Sequence, residues 1–281
     1  MTRVPEDEKW SSDVDRHKLR YDISEVAPYI NWAYFYYAWQ VGEREEKRRL
    51  RREAEGVMER LEGRYHTHAV FAIGDANSDG DDIVFCGKRL PMLRQQRAAA
   101  EGEPNLCLAD YLKPEGKGHD TMGVFATTVD IGLEKDFLCD DYKRMMAQLI
   151  ADRLAEATAE KMHEEVRKTY WGYSAEERLS IEEMQEEKFR GIRPAVGYPS
   201  MPDTSINFVI DDIIDMGSIG IRLTESGAMK PHASVSGLMI AHPDARYFTL
   251  GKIGDDQLRD YARRRGMPVE LARRFLEAVL R

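Results

Sequence analysis

Two groups of residues in this chain have the types and spacing to do chemistry. One is the loop "GIRPAVGYPSMP" at 191–202, which sets three prolines and two glycines around Arg193 and Tyr198. Pro194, Pro199 and Pro202 fix φ, while Gly197 can take conformations closed to other residues. A backbone restrained in this way loses little entropy when something binds to it. Composition alone leaves two readings, a rigid connector or a ligand-binding loop. The other group is a polar row, Arg153, Glu156, Glu160, His163 and Arg167, each three or four residues on from the last. That spacing puts all five on one helix face, which on spacing alone reads as solvated.

Other patterns carry less. Asp75, Asn77, Asp79 and Gly80 match the first half of a calcium loop. The eighth and twelfth positions, which need an apolar residue and a bidentate glutamate, are Asp82 and Cys86. A hairpin turn rich in Asx residues accounts for the segment better. His66 and His68 share one face of a strand with no third ligand nearby, so no metal site is expected. There is no G-x-G-x-x-G, no P-loop, no G-x-S-x-G and no H-E-x-x-H.

The elements that would position these residues follow from the periodicity. A charged leader is expected over residues 1–20, then an aromatic segment "YDISEVAPYINWAYFYYAW". An exposed helix is predicted over 43–62 with apolar Leu50, Val57, Met58 and Leu61. "THAVFAIGDANSDGDDIVFCG" reads as a strand pair and "MGVFATTVDIG" as a buried strand. The longest helix is predicted over 141–167, where no glycine or proline interrupts. Ser180 is placed to cap a further helix that leads into the proline-rich loop. Beyond it, "FVIDDIIDM" reads as helix, and "IGIRLTESGAM", "ASVSGLMIAHP" and "RYFTLGKIG" as strands, before two closing helices. Strands grouped in hairpins and separated by helices make the class α+β: a single domain over 21–281 with a twisted antiparallel sheet flanked by helices.

At 281 residues the chain can bury a sizeable core, and its 42% hydrophobic and 32% charged content is that of a soluble globular protein. A net charge of −9 argues against nucleic acid as a partner. The three cysteines are an odd number without a CxxC, and they read as reduced thiols. Neither a signal peptide nor a membrane span is visible, so a cytoplasmic location is expected.

Longer stretches add a resemblance. "DDYKRMMAQLIADRLAEATAEKMHEEVRKTYWGY", "EEKFRGIRPAVGYPSMPD", "LTESGAMKPHASVSGLMIAHPDARYF" and "DYARRRGMP" resemble the activation (AdoMet-binding) domain of cobalamin-dependent methionine synthase. "YINWAYFYYAW", "GDDIVF", "LRQQ" and "NLCLADYL" match in order, over about Val26 to Met267. The resemblance implies that the proline-rich loop is a site for S-adenosylmethionine (AdoMet). By it, Arg193 pairs with the methionyl carboxylate, backbone around Ala195 meets the adenosyl part, Gly197 supplies the backbone freedom that cofactor binding needs, and Tyr247 lies near the adenine. Tyr198 stands near the sulfonium and an approaching corrin, and the family's two functional glutamates fall on Glu156 and Glu187. There are departures: Asn31 stands where the family commonly has an aspartate that accepts from the AdoMet ammonium, and "MPDT" replaces the family's C-P-x-H.

The function implied is support of the reductive methylation of cob(II)alamin. AdoMet is bound, a cobalamin-carrying methionine synthase partner is capped, and a flavodoxin-like protein supplies the electron. No D-x-H-x-x-G cobalt-ligand motif occurs, so cobalamin is expected on the partner, and turnover needs that partner. The charged start at Met1 suggests a free-standing subunit of a split enzyme, with an excised domain as the alternative. Two other readings remain: a self-contained AdoMet-dependent methyltransferase for a small molecule, and an interaction protein that has lost AdoMet.

Overall fold

The apolar run that follows His68 is continuous rather than alternating, the pattern of a strand covered on both faces, and it forms the centre of the sheet. The computed structural model describes residues 14–137 and 139–281. In chain order its elements are β1 (Asp15–Asp22), α1 (Ile23–Val26), α2 (Trp32–Ala38), α3 (Arg44–Leu61), β2 (His66–Asp79), β3 (Asp82–Phe85) and β4 (Lys88–Pro91). They continue with β5 (Asp120–Val129), α4 (Asp141–Glu165), α5 (Ile181–Gln185), α6 (Ile206–Ile214), β6 (Arg222–Leu223), β7 (Met229–Lys230) and β8 (Ser234–Met239). Helices α7 (Asp255–Arg264) and α8 (Val269–Leu276) close the chain.

Five strands run β4-β3-β2-β5-β8, all antiparallel, and β1 pairs with the half of β2 that β3 leaves free. Alternate residues of β2 serve opposite layers. Ala69 and Phe71 join α3 and α4 in one core, while Val70 and Ala72 join α6 in another. A third, smaller core holds α7 and α8 against Leu93, Leu250 and Ile253. Phe71 and Phe125 face each other across β2 and β5, fully buried, and truncating either to alanine would cost about 3–5 kcal/mol. The expected α+β class, with helices flanking an antiparallel sheet, is what is found.

Local readings held where one signal dominated. Helix α3 buries Leu50, Val57, Met58 and Leu61. The Asx-rich segment is the β2–β3 hairpin, with Asp79 opposite Asp82. Helix α4 starts at Asp141 as expected, and its last turn widens to a π-helix at Val166–Tyr170. Three differences stand out. Residues 1–13 of the expected leader lie outside the described residues, but Asp15–Asp22 is strand, registered against Ile73–His66 of β2. The strand expected around 219–229 is only the two-residue pair β6–β7. "RYFTLGKIG" is not a strand, because its backbone bonds go to separate segments: Leu250 N donates to Pro199 O (2.9 Å) and Ile253 N to Val279 O (2.9 Å).

Candidate functional site

The proline-rich loop extends the sheet. Ile192 and Ile240 exchange both backbone bonds at 2.9 Å, Leu238 N donates to Pro194 O (3.0 Å), and Val196 N donates to Ser236 O (2.9 Å). The loop therefore lies along β8 as a short added strand, built mostly from residues that resist other conformations. Contact is close enough to demand glycine at the facing position. A Cβ on Gly237 would sit 2.2 Å from Pro194 O, and one on Gly191, at φ +85°, 2.2 Å from Ile240 O. Gly197 has a different task. At φ +87° it turns the chain, its N–H donating to Met201 O (2.8 Å), and a Cβ there would meet only Thr204 at 3.9 Å. It shapes the loop and is not among the residues that line the cleft below.

Between this loop and α4 lies a cleft of about 750 Å³. Arg193, Ala195 and Tyr198 line one wall, and Arg153, Glu156 and Glu160 of α4 another. The segment from Tyr29 to Ala38, residues from Met184 at the end of α5 through Phe189, and Tyr247–Thr249 complete it. Gln185 ties two of these walls by donating to Ile30 O (3.3 Å). Helix α5 is held at its start by a capping box, with Ser180 Oγ accepting from Glu183 N (3.2 Å) and Glu183 accepting from Ser180 N (3.0 Å). Of the residues singled out in the sequence, Asn31, Glu156, Glu187, Arg193, Ala195, Tyr198 and Tyr247 all meet here.

Arg193 is the cleft's buried cation, its side chain only 10% exposed. Its guanidinium pairs with Glu160, and its backbone N–H donates to the Tyr247 hydroxyl (2.9 Å). Burial opposes its charge, and Glu160, helped by Tyr247 and Glu156, more than offsets this, holding the group above the usual arginine range. The pairing is incomplete. Arg193 Nε and Glu160 Oε2 are both buried with no hydrogen-bond partner. The paired side chains thus keep one unsatisfied donor and one unsatisfied acceptor, the complement of a ligand bearing both an anionic and a cationic group.

The other groups are differently placed. Glu156 accepts from Arg153 at 2.7 and 3.2 Å and from the Tyr198 hydroxyl at 3.4 Å. Tyr198 is 52% exposed, and burial of its hydroxyl, then Glu156, raise its pKa. Tyr247 is raised for the first of these reasons. Glu187 follows α5 at the rim with φ +57°, a left-handed conformation that favours glycine. Partial burial of its carboxyl, reinforced by the negative charge of Glu160, pushes its pKa up. Asn31 lines the cleft and also caps α2, its Oδ1 accepting from Ala33 N (3.1 Å).

The polar row of α4 divides. Arg153, Glu156 and Glu160 line the cleft, but His163 and Arg167 are fully buried behind it. Arg167 binds Glu177 with Nε and Nη2 at 2.6–3.1 Å and donates to His163 Nδ1 (3.0 Å), and Tyr173 lies 3.3 Å from His163 Nε2. Sequence reasoning missed Glu160 as a site residue. The signal available was its place one turn after Glu156 in the row. Among the described residues, no group of three or more His, Cys, Asp or Glu side chains is arranged to hold a metal ion, and no helix is long and apolar enough to cross a membrane.

Comparison with known proteins agrees with the resemblance read from the sequence. The family model of the vitamin B12-dependent methionine synthase activation domain matches residues 22–266. A crystal structure of a MetH reactivation domain bound to AdoHcy (S-adenosylhomocysteine) is similar at 35% identity and a TM-score of 0.90, covering 96% of this chain and 91% of that one. The chain belongs to the family of vitamin B12-dependent methionine synthase activation domains.

Proposed function

We propose that the chain binds AdoMet in the cleft between the 192–198 loop and α4, and so supports reductive methylation of a partner's cobalamin. The observation that carries this is the half-satisfied Arg193–Glu160 pair in a cleft of about 750 Å³. An amino-acid head group fits it, and the related reactivation domain was crystallised with AdoHcy. Arg193 takes the α-carboxylate through its free Nε–H, the planar donor geometry suited to a carboxylate. The Ala195 backbone, held against Gly237, walls the adenosyl part, and Tyr247 lies near the adenine. Tyr198 and Glu187 stand on the partner side, with Glu156 anchoring the Tyr198 hydroxyl.

When bound, AdoMet supplies an electrophilic methyl group, and the acceptor is a reduced cobalamin carried by the partner. The chain's own share is positioning and electrostatics, since a sulfonium leaves without a proton. Tyr34, Tyr37 and Tyr198 are 60%, 84% and 52% exposed around the cleft. Such exposed aromatic surface supports a docking face for the partner's corrin. A flavodoxin-like protein is the proposed electron donor.

Methylcobalamin formation, followed by absorbance, tests the reading. The isolated chain with AdoMet should methylate neither homocysteine nor any small acceptor. Adding a cobalamin-carrying partner and a low-potential reductant should yield methylcobalamin and AdoHcy together. Tyr198→Phe and Glu187→Gln should slow that coupled reaction more than they weaken AdoMet binding. Robust methyl transfer by the chain alone would contradict the proposal and favour a self-contained methyltransferase.

A further inference from the structure

We infer that Glu160 is the acceptor for the α-ammonium of the bound ligand, so that Arg193 and Glu160 together read the zwitterionic amino-acid head. The inference rests on the proposed AdoMet site and assigns a specificity-determining residue within it. The α-carboxylate and α-ammonium of an amino acid are attached to one carbon, so their protein partners must be neighbours. Arg193 and Glu160 are in direct contact, and each keeps one buried atom without a partner, Nε and Oε2. The free atoms offer one donor and one carboxylate acceptor, matching the charges of the head group. Insertion brings a neutral zwitterion to a neutral pair, so no net charge is buried.

The alternatives in the cleft are already engaged or wrongly placed. Both Glu156 oxygens accept from Arg153, and one also from Tyr198. Glu187 is exposed and makes no hydrogen bond to Arg193, whereas Glu160 contacts it directly. Asn31 carries no charge, and its carbonyl oxygen already accepts the capping bond of α2. Glu160 thereby takes the role that an acidic residue at position 31 would otherwise fill, and Asn31 is left to start a helix.

Three nucleosides separate this assignment from a purely structural role for Glu160. AdoHcy carries both head-group charges, S-adenosyl-3-thiopropylamine keeps the amine without the carboxylate, and 5′-methylthioadenosine lacks both. Calorimetric titration should show that Glu160→Gln weakens AdoHcy and the amine alike, by about 10- to 100-fold, the range for losing a hydrogen bond to a charged group. Methylthioadenosine should bind the variant as it binds the wild type, which also checks that the variant is folded. Arg193→Ala should weaken AdoHcy while leaving the amine unchanged. If Glu160→Gln weakens AdoHcy but not the amine, Glu160 only positions Arg193 and the assignment is wrong. The wild type alone gives a second test: equal affinity for the amine and methylthioadenosine would mean that no carboxylate meets the ammonium. Failure of the wild type to bind AdoHcy at all would instead overturn the AdoMet site itself.

Discussion

Helix α4 carries one row of polar side chains with two fates. At Glu156 and Glu160 the row faces a cleft, and its central pair leaves Arg193 Nε and Glu160 Oε2 buried without partners. Further along, at His163 and Arg167, the row is enclosed, and Glu177 and Tyr173 reach back to meet it. The difference is made by the chain after α4. Its π-helical turn and Gly172, at φ +73°, reverse direction, and Ser174 N donates to Arg167 O (2.9 Å), which returns Glu177 to the guanidinium. Burial alone does not mark a binding site, because Arg167 is more enclosed than Arg193. What separates the two ends is satisfaction together with the cleft: Arg167 has its partners, whereas Arg193 and Glu160 line open space and each keep a polar atom unpaired.

The largest expected effect breaks the enclosed end. Glu177→Ala leaves Arg167 charged and unpaired at 0% exposure, a change worth about 3–5 kcal/mol of stability. Urea unfolding should register that loss, while AdoMet affinity of the folded protein changes little, because neither residue lines the cleft. A loss of affinity as large as the loss of stability would mean that the two ends of the row act as one unit.

A pH titration sharpens the same contrast. His163 is held neutral, well below an ordinary histidine value of 6.5, first by burial and then by Arg167 and Arg193. Below pH 6.5 the unfolded chain therefore takes up a proton that the folded chain does not. Stability is fully present above 6.5 and falls as pH drops from there towards the depressed folded value, by up to about 1.4 kcal/mol per pH unit. Unfolding free energies measured between pH 5 and 7 should show this slope in the wild type and a shallower one in His163→Gln. Equal slopes would remove His163 as the source.

A smaller effect is expected at the cleft. Glu187 is held at φ +57°, a conformation that costs a side-chain-bearing residue about 1–2 kcal/mol. Glu187→Gly should therefore raise stability by about 1 kcal/mol while slowing cobalamin methylation in the reconstituted system. A variant that is less stable, or as active as the wild type, would show that the strain serves no function.

Much of this molecule was legible in the sequence where one local signal dominated. The prolines of the 191–202 loop and the uninterrupted run of α4 needed no tertiary information, and the longer motifs named the family. What stayed hidden depends on contacts between distant segments. Equal spacing along α4 cannot tell Glu160 from Arg167, because the distinction is made by Arg193 and Glu177, which arrive 33 and 10 residues later. The alternation in "RYFTLGKIG" imitates a strand, yet Gly251 at φ +76° and divided hydrogen bonding leave it irregular. Asn31 looked like a weakened ammonium acceptor by position, and its capping bond to Ala33 is visible only once α2 is in place.

The central claim is that the open end of the row is a ligand site, and calorimetric titration of AdoMet into the wild type and Arg193→Ala tests it most directly. The account predicts saturable one-site binding in the wild type. In the variant it should be weaker by about 2–5 kcal/mol, as when one side of a buried charged pair is removed, while 5′-methylthioadenosine still binds and so shows that the variant is folded. No binding by the wild type, or equal affinity in the two proteins, would contradict it.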